Sequence, residues 1–299
     1  MRVPVVRAAV LRGEAHGVVF EARVDDRRLL PAVRARLPPG WTATRRPAAA
    51  TLSLVHELFE TPSARGSKGR GRRVSGLSVR LDGQVVARGL SHAQALHVFE
   101  SELQLSVARL ARPEVFVHAG VVAVAGRAIL FPGRSGAGKT TLVRALVAAG
   151  ATYYSDEYAV LDREGLVHPY ARRPSILVRD GHKERAPVPR RRGRAGVPLG
   201  LIVETRYRPD ARWSPVPLSA GERVLALLAN TVPARDRPAE VLAVLARATG
   251  PARGFRSDRG PAGRTARALL ALARDAADIQ APPPTAGRLN GRTARTRRA

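Results

Sequence analysis

Cysteine is absent from the 299-residue chain, which excludes a disulfide framework and any thiolate metal site. Aromatic residues make up only 4% of it, so a surface that stacks nucleic-acid bases has few rings to be built from. No run approaches the ~18 uninterrupted apolar residues of a membrane span. No stretch resembles a signal peptide's apolar region preceded by basic residues, and the expectation is a cytoplasmic protein with no membrane partner. Acids are scarce, with 24 Asp and Glu against 51 Lys and Arg. The net charge of +27 would ordinarily point to nucleic acid or an anionic surface. Only Lys68, Lys139 and Lys183 are lysine, however, and Ala, Gly, Pro and Val crowd the chain. That pattern reads as the coding bias of a GC-rich genome, and nucleic acid is disfavoured as a partner.

Length alone allows one large domain or two modest ones. Residues 1–110 read as a strand-rich α+β region that ends in a helix. Its strands are expected at "HGVVFEAR" (16–23), "TLSLVHE" (51–57), "GLSVRL" (76–81) and "QVVARG" (84–89), with a hairpin turn near Gly83. Residues 61–75 carry five basic residues and no acid and read as a loop. Ser91 and Gln94 are spaced as a capping box, and Leu96, Phe99, Leu103 and Leu110 recur at near-helical spacing.

From Glu114 the texture changes. "VFVHAGVVAV" (115–124) and "RAILF" (127–131) are nearly continuous apolar runs of the kind buried in a covered sheet. An α/β domain over 111–280 is expected here, with a helix over 138–149 closed by Gly150. "TYYSDEYAVLD" (152–162) and "LVHPYA" (166–171) read as strands around a "REG" turn, and "LGLIVET" (199–205) resumes the sheet. Residues 185–196, with five arginines and no acid, are expected to be disordered. Helices are expected from the capping box of Ser219 and Glu222, over 238–248 and over 263–277. Residues 281–299 form a basic tail whose composition reads as disorder.

"GRSGAGKT" matches G-x-x-x-x-G-K-[ST] at every position. It comprises Gly133, Arg134, Ser135, Gly136, Ala137, Gly138, Lys139 and Thr140, and Thr141 follows. A strand before and a helix after would let backbone N–H groups and the helix N-terminus converge on phosphate oxygens. Lys139 would then reach the β- and γ-phosphates of a nucleotide, and the Thr140 hydroxyl would hold Mg2+. Asp156 and Glu157 follow after one short helix and one short strand. The loop strand and the acidic strand are expected to be neighbours with their C-terminal ends together, the edge where such sheets bind ligands. One carboxylate would hold Mg2+ while the other accepts a proton from an attacking hydroxyl.

These residues resemble the HPr serine kinase/phosphorylase family over about residues 115–170. His118 stands fifteen positions before Gly133 with Gly126 between them, and Asp156 follows Lys139 by seventeen; those intervals are similar to the family's own. The resemblance implies a P-loop kinase domain related to HPr kinase and phosphoenolpyruvate carboxykinase, which uses ATP and Mg2+ to phosphorylate a serine of a protein or peptide. It implies catalytic roles for Lys139, Asp156, Glu157 and His118, with Asp156 primarily at the metal, Glu157 taking the proton and His118 near the phosphates. Glu157 departs from the family's second aspartate by one methylene. The family's Gly-Arg-Asn signature, associated with the phosphorylase reaction, is absent, and the segment after Glu204 reads "TRYRPDARWSPVPLS". Two other readings stay open at this point: a P-loop ATPase or GTPase working as a switch, and a nucleic-acid-binding NTPase. The acceptor, the nucleotide base and homo-oligomer formation are also open.

Overall fold

In the computed structural model, residues 8–60, 73–133, 136–177 and 183–279 are described. Arg134, Ser135, most of the basic loop over 61–75 and the tail over 281–299 lie outside them. The first half contains β1 (Ala9–Ala15), β2 (Val18–Val24), α1 (Leu30–Arg34), β3 (Thr42–Ala43), β4 (Ala50–Glu60), β5 (Arg73–Leu81), β6 (Gln84–Leu90) and α2 (His92–Leu110). These strands form one sheet in the order β3-β1-β2-β4-β5-β6. The second half runs β7 (Val115–Val124), β8 (Arg127–Pro132), α3 (Lys139–Ala148), β9 (Thr152–Ser155), β10 (Tyr158–Leu161), β11 (Val167–His168), β12 (Ser175–Leu177), β13 (Lys183–Arg185), β14 (Leu199–Tyr207), β15 (Val216–Pro217), α4 (Ala220–Leu228), α5 (Pro238–Thr249), β16 (Arg253–Arg259) and α6 (Ala262–Ile279). Its main sheet has the order β11-β10-β7-β8-β14-β16-β15, with β9 also pairing β7. The architecture is mixed α/β.

The apolar runs explain the layering. β7, β8 and β14 are buried on both faces, as expected of strands covered by helices on each side. Val121, Leu130 and Ile202 pack on one face with Leu227 of α4 and Leu245 of α5. Ile129, Phe131 and Leu201 pack on the other with Leu142 of α3 and Leu269 of α6. The first sheet is tied to the second by α2, whose Phe99, Leu103 and Val107 share one buried cluster with Leu52 and Leu54 of β4 and with Phe116, Tyr158 and Tyr170.

The capping box is formed: the Gln94 N–H donates to Ser91 Oγ and the Ser91 N–H to Gln94 Oε1. Leu110 is exposed, contrary to its expected place on the apolar stripe, and Val107 fills that position, four residues after Leu103 where the helical turn brings it round. The turn near Gly83 joins β5 to β6 as expected, with Asp82 and Gly83 both at positive φ. His16 and Gly17 form the turn ahead of β2 and lie outside the strand expected there. Residues 185–196 are not disordered. The Tyr153 N–H donates to the Arg191 carbonyl at 3.0 Å and the Gly193 N–H to the Tyr153 carbonyl at 2.8 Å, so the segment lies along β9 around Arg191 and Gly193.

Candidate functional site

β8 ends at Pro132, and the glycine-rich loop carries the chain to α3. Gly138 is the residue ahead of the helix and sits at φ 78°, in the left-handed region. A Cβ there would also meet Arg259 Nη2 at 2.5 Å. The crowding arises because Arg259, at the end of β16, reaches across to donate to the Gly138 carbonyl at 3.1 Å. Lys139 Nζ donates to the Gly133 carbonyl at 2.6 Å. Burial lowers the lysine's pKa, while the nearby Glu157 and Asp156 charges oppose that shift.

The strand ahead of the loop and the acidic strand are not neighbours, as the sequence suggested. β7 lies between them and pairs antiparallel with both, matching Ala119 to Pro132 of β8 and Val121 to Ser155 of β9. β8 and β9 therefore run parallel one strand apart and end at the same edge. β8 folds back on β7 through a tight hairpin and takes one flank, which leaves the other flank for β9. The expected strand over 152–162 is interrupted at Asp156 and Glu157. β10 then resumes pairing with β7, placing Tyr158 opposite His118. Ser155 stabilises this interruption, its Oγ accepting from the N–H groups of Glu157 at 3.1 Å and Tyr158 at 3.0 Å.

The two acids face different surroundings. Asp156 is only 6% exposed. Its Oδ2 accepts from Thr140 Oγ1 at 2.9 Å and its Oδ1 from the Tyr153 hydroxyl at 3.0 Å. Burial pushes its carboxyl above the usual range, and these two hydrogen bonds pull it back. The Glu157 side chain is 38% exposed, with Oε1 at 3.9 Å from His118 Nδ1 and Oε2 at 3.5 Å from Arg172 Nη1. Burial lowers the pKa of His118. The Glu157 charge opposes that shift and the Lys139 charge adds to it, which favours the neutral imidazole.

Two cavities open on this edge. One, of about 630 Å³, is lined by Gly136, Ala137, Gly138 and Thr141 of the loop and helix, and by Tyr207 and Arg259 among others. The other, of about 610 Å³, is lined by His118, Glu157, Tyr158 and Arg172, and by Glu100 and other residues of α2. His118 thus belongs with Glu157 on the second cavity and does not line the loop's cavity. Tyr153, Arg172 and Arg259 were missed from the sequence. The strand "RGFRSDR" is the sequence signal for Arg259, because the C-terminal ends of parallel strands gather ligand-facing residues. Arg172 carries no local signal, since its partner Glu100 lies 72 positions away.

No family model matches the chain, and no curated protein matches it. Among the described residues no helix is long and apolar enough to cross a membrane.

Proposed function

We infer that the chain is an ATP-dependent kinase that transfers the γ-phosphoryl group to a hydroxyl, a serine of a protein or peptide. The observation that carries this reading is the division of Asp156 and Glu157 between two environments at one interruption of the sheet. The buried acid is bonded to the helix that follows the glycine-rich loop, and the exposed acid faces a separate cavity. A nucleotide switch has no use for a second cavity at Glu157. The spacing of His118, the loop and the acid pair, which resembles that of the HPr serine kinase family, supports the same reading and extends it to a P-loop kinase domain.

The donors at Asp156 suit Mg2+. A hydroxyl and a carboxylate 2.9 Å apart are hard oxygen ligands, and a buried carboxylate gains most from a cation. Mg2+ commonly takes few protein ligands beside phosphate and water. When bound, the ion would supply charge neutralisation at the phosphates. Thr140 and Asp156 would hold it.

Lys139 and the backbone N–H groups of Gly136, Ala137 and Gly138 would hold the phosphates. Glu157 would take the proton of the attacking hydroxyl as the new O–P bond forms and the bond from γ-phosphorus to ADP breaks. His118 and Arg172 would orient Glu157 from either side. The test is mass spectrometry of the proteins encoded beside this one after incubation with the enzyme, ATP and Mg2+. A serine that gains one phosphoryl group, and gains none with Lys139→Ala, is expected. Release of phosphate with no modified acceptor would favour the switch.

A further inference from the structure

Beside the Glu157 cavity lies a smaller one of about 180 Å³, with Arg36, Arg172, Arg173 and Arg185 in its wall and Glu100 as the only acid there among the described residues. The two cavities share Arg36, Arg172, Arg185, Glu100 and Gln104, so they adjoin across one buried carboxylate. The arginines converge from distant stretches: Arg36 follows α1, Arg172 and Arg173 precede β12, and Arg185 ends β13. Arg172 and Arg185 both pair with Glu100, and Arg36 Nε stands 3.8 Å from it without a hydrogen-bond partner. Four cations thus face one carboxylate in the smaller cavity. Glu102 and Glu157 lie on the wall of the larger one. Burial lowers the pKa of Arg36 and of Arg185, and the charge of Arg173 adds to the first shift and that of Arg36 to the second.

A concentration of guanidinium groups in a concave, half-dry site is the arrangement that recognises carboxylate or phosphate. Arg172 fixes how that recognition relates to the chemistry, because its Nη1 faces Glu157 at 3.5 Å while its Nη2 holds Glu100. An anion seated among the arginines is therefore about one guanidinium width from the group placed at the acceptor hydroxyl. We propose that this cluster selects an acidic peptide, seating a carboxylate that lies close in sequence to the serine presented at Glu157. The inference rests on the kinase reading for the identity of Glu157's substrate. It also gives α1, α2 and the sheet they pack on a role as one wall of the acceptor site.

The experiment is fluorescence anisotropy at physiological salt, with the full chain, Mg2+ and a non-hydrolysable ATP analogue. The probes are a labelled peptide with glutamates flanking one serine and the same peptide with glutamines. The acidic probe is expected to bind at least about tenfold more tightly, in line with a charge-assisted hydrogen bond. Arg173→Ala should remove most of that difference; the side chain is exposed and Glu100 keeps Arg172 and Arg185, so folding is spared. Arg190→Ala, at an exposed arginine outside the cluster, should change nothing. Equal affinity of the two probes overturns the proposal, as does equal loss from Arg173→Ala and Arg190→Ala, or displacement by random-sequence DNA as effective as that by unlabelled acidic peptide. Phosphoryl transfer to the same peptides is measured in parallel. Charge-selective binding without transfer upholds the anion site and counts against the kinase reading alone.

Discussion

Lys139 is the residue on which the proposed nucleotide chemistry depends most directly, since its ammonium, at the start of α3, is drawn onto the Gly133 carbonyl. Lys139→Ala is expected to abolish phosphoryl transfer, because charge developing on the transferred group loses its compensation. The check is a single-turnover assay with labelled ATP, beside a thermal melt to show that the fold persists. Asp156 leads to a pH prediction. Its carboxyl is pushed up by burial, so the folded protein holds that proton to higher pH than the unfolded chain does. The group's contribution to stability is therefore fully present below the unfolded pKa and is lost as pH rises through the folded one. Cation binding needs the anion and shows the opposite trend. Affinity for Mg–ATP should rise between about pH 4, near the ordinary aspartate pKa, and neutrality, and titration calorimetry across that range should show a steeper rise in the wild type than in Asp156→Asn, which keeps only the part due to ionisation of the nucleotide's own phosphate.

At the scale of elements, the loop and the helix after it form a joint that tolerates little. Gly138→Ala imposes a left-handed backbone on a residue with a Cβ, costing roughly 1–2 kcal/mol, and also displaces the Arg259 guanidinium from the Gly138 carbonyl. The expected result is a lower melting temperature together with weaker nucleotide binding, whereas Gly221→Ala, which faces open space in α4, should show neither. Much of this element level was legible in the sequence. The glycine-rich motif, the capping boxes at Ser91 and Ser219 and the covered strands β7 and β14 are all encoded over a few consecutive residues. The turn at His16 and Gly17 and the interruption after Ser155 have local causes, whereas the larger misses depend on partners remote in the chain. The 185–196 segment is ordered by Tyr153, and β9 is kept from β8 by the intervening β7. Arg172 and Arg259 are brought to the site by residues 72 and 121 positions away.

At the scale of the whole molecule, the first sheet and α2 are built into the site: they bury Phe116, Tyr158 and Tyr170 of the second half and supply Glu100 to the cavity at Glu157. Deleting residues 1–110 would bare those aromatic rings, each a large apolar surface, and the remainder is expected to aggregate or melt without cooperativity, which light scattering and calorimetry would show. The proposed mechanism divides the chemistry between the two acids of one sheet interruption. Its most direct measurement is the rate of γ-phosphoryl transfer to a serine acceptor by Asp156→Asn and Glu157→Gln as Mg2+ is raised. Both variants should bind ATP and turn over slowly, with loss of the base alone costing about 10²- to 10⁴-fold. Excess Mg2+ should partly restore Asp156→Asn and leave Glu157→Gln unchanged, whereas transfer at wild-type rates by both amides would contradict the account.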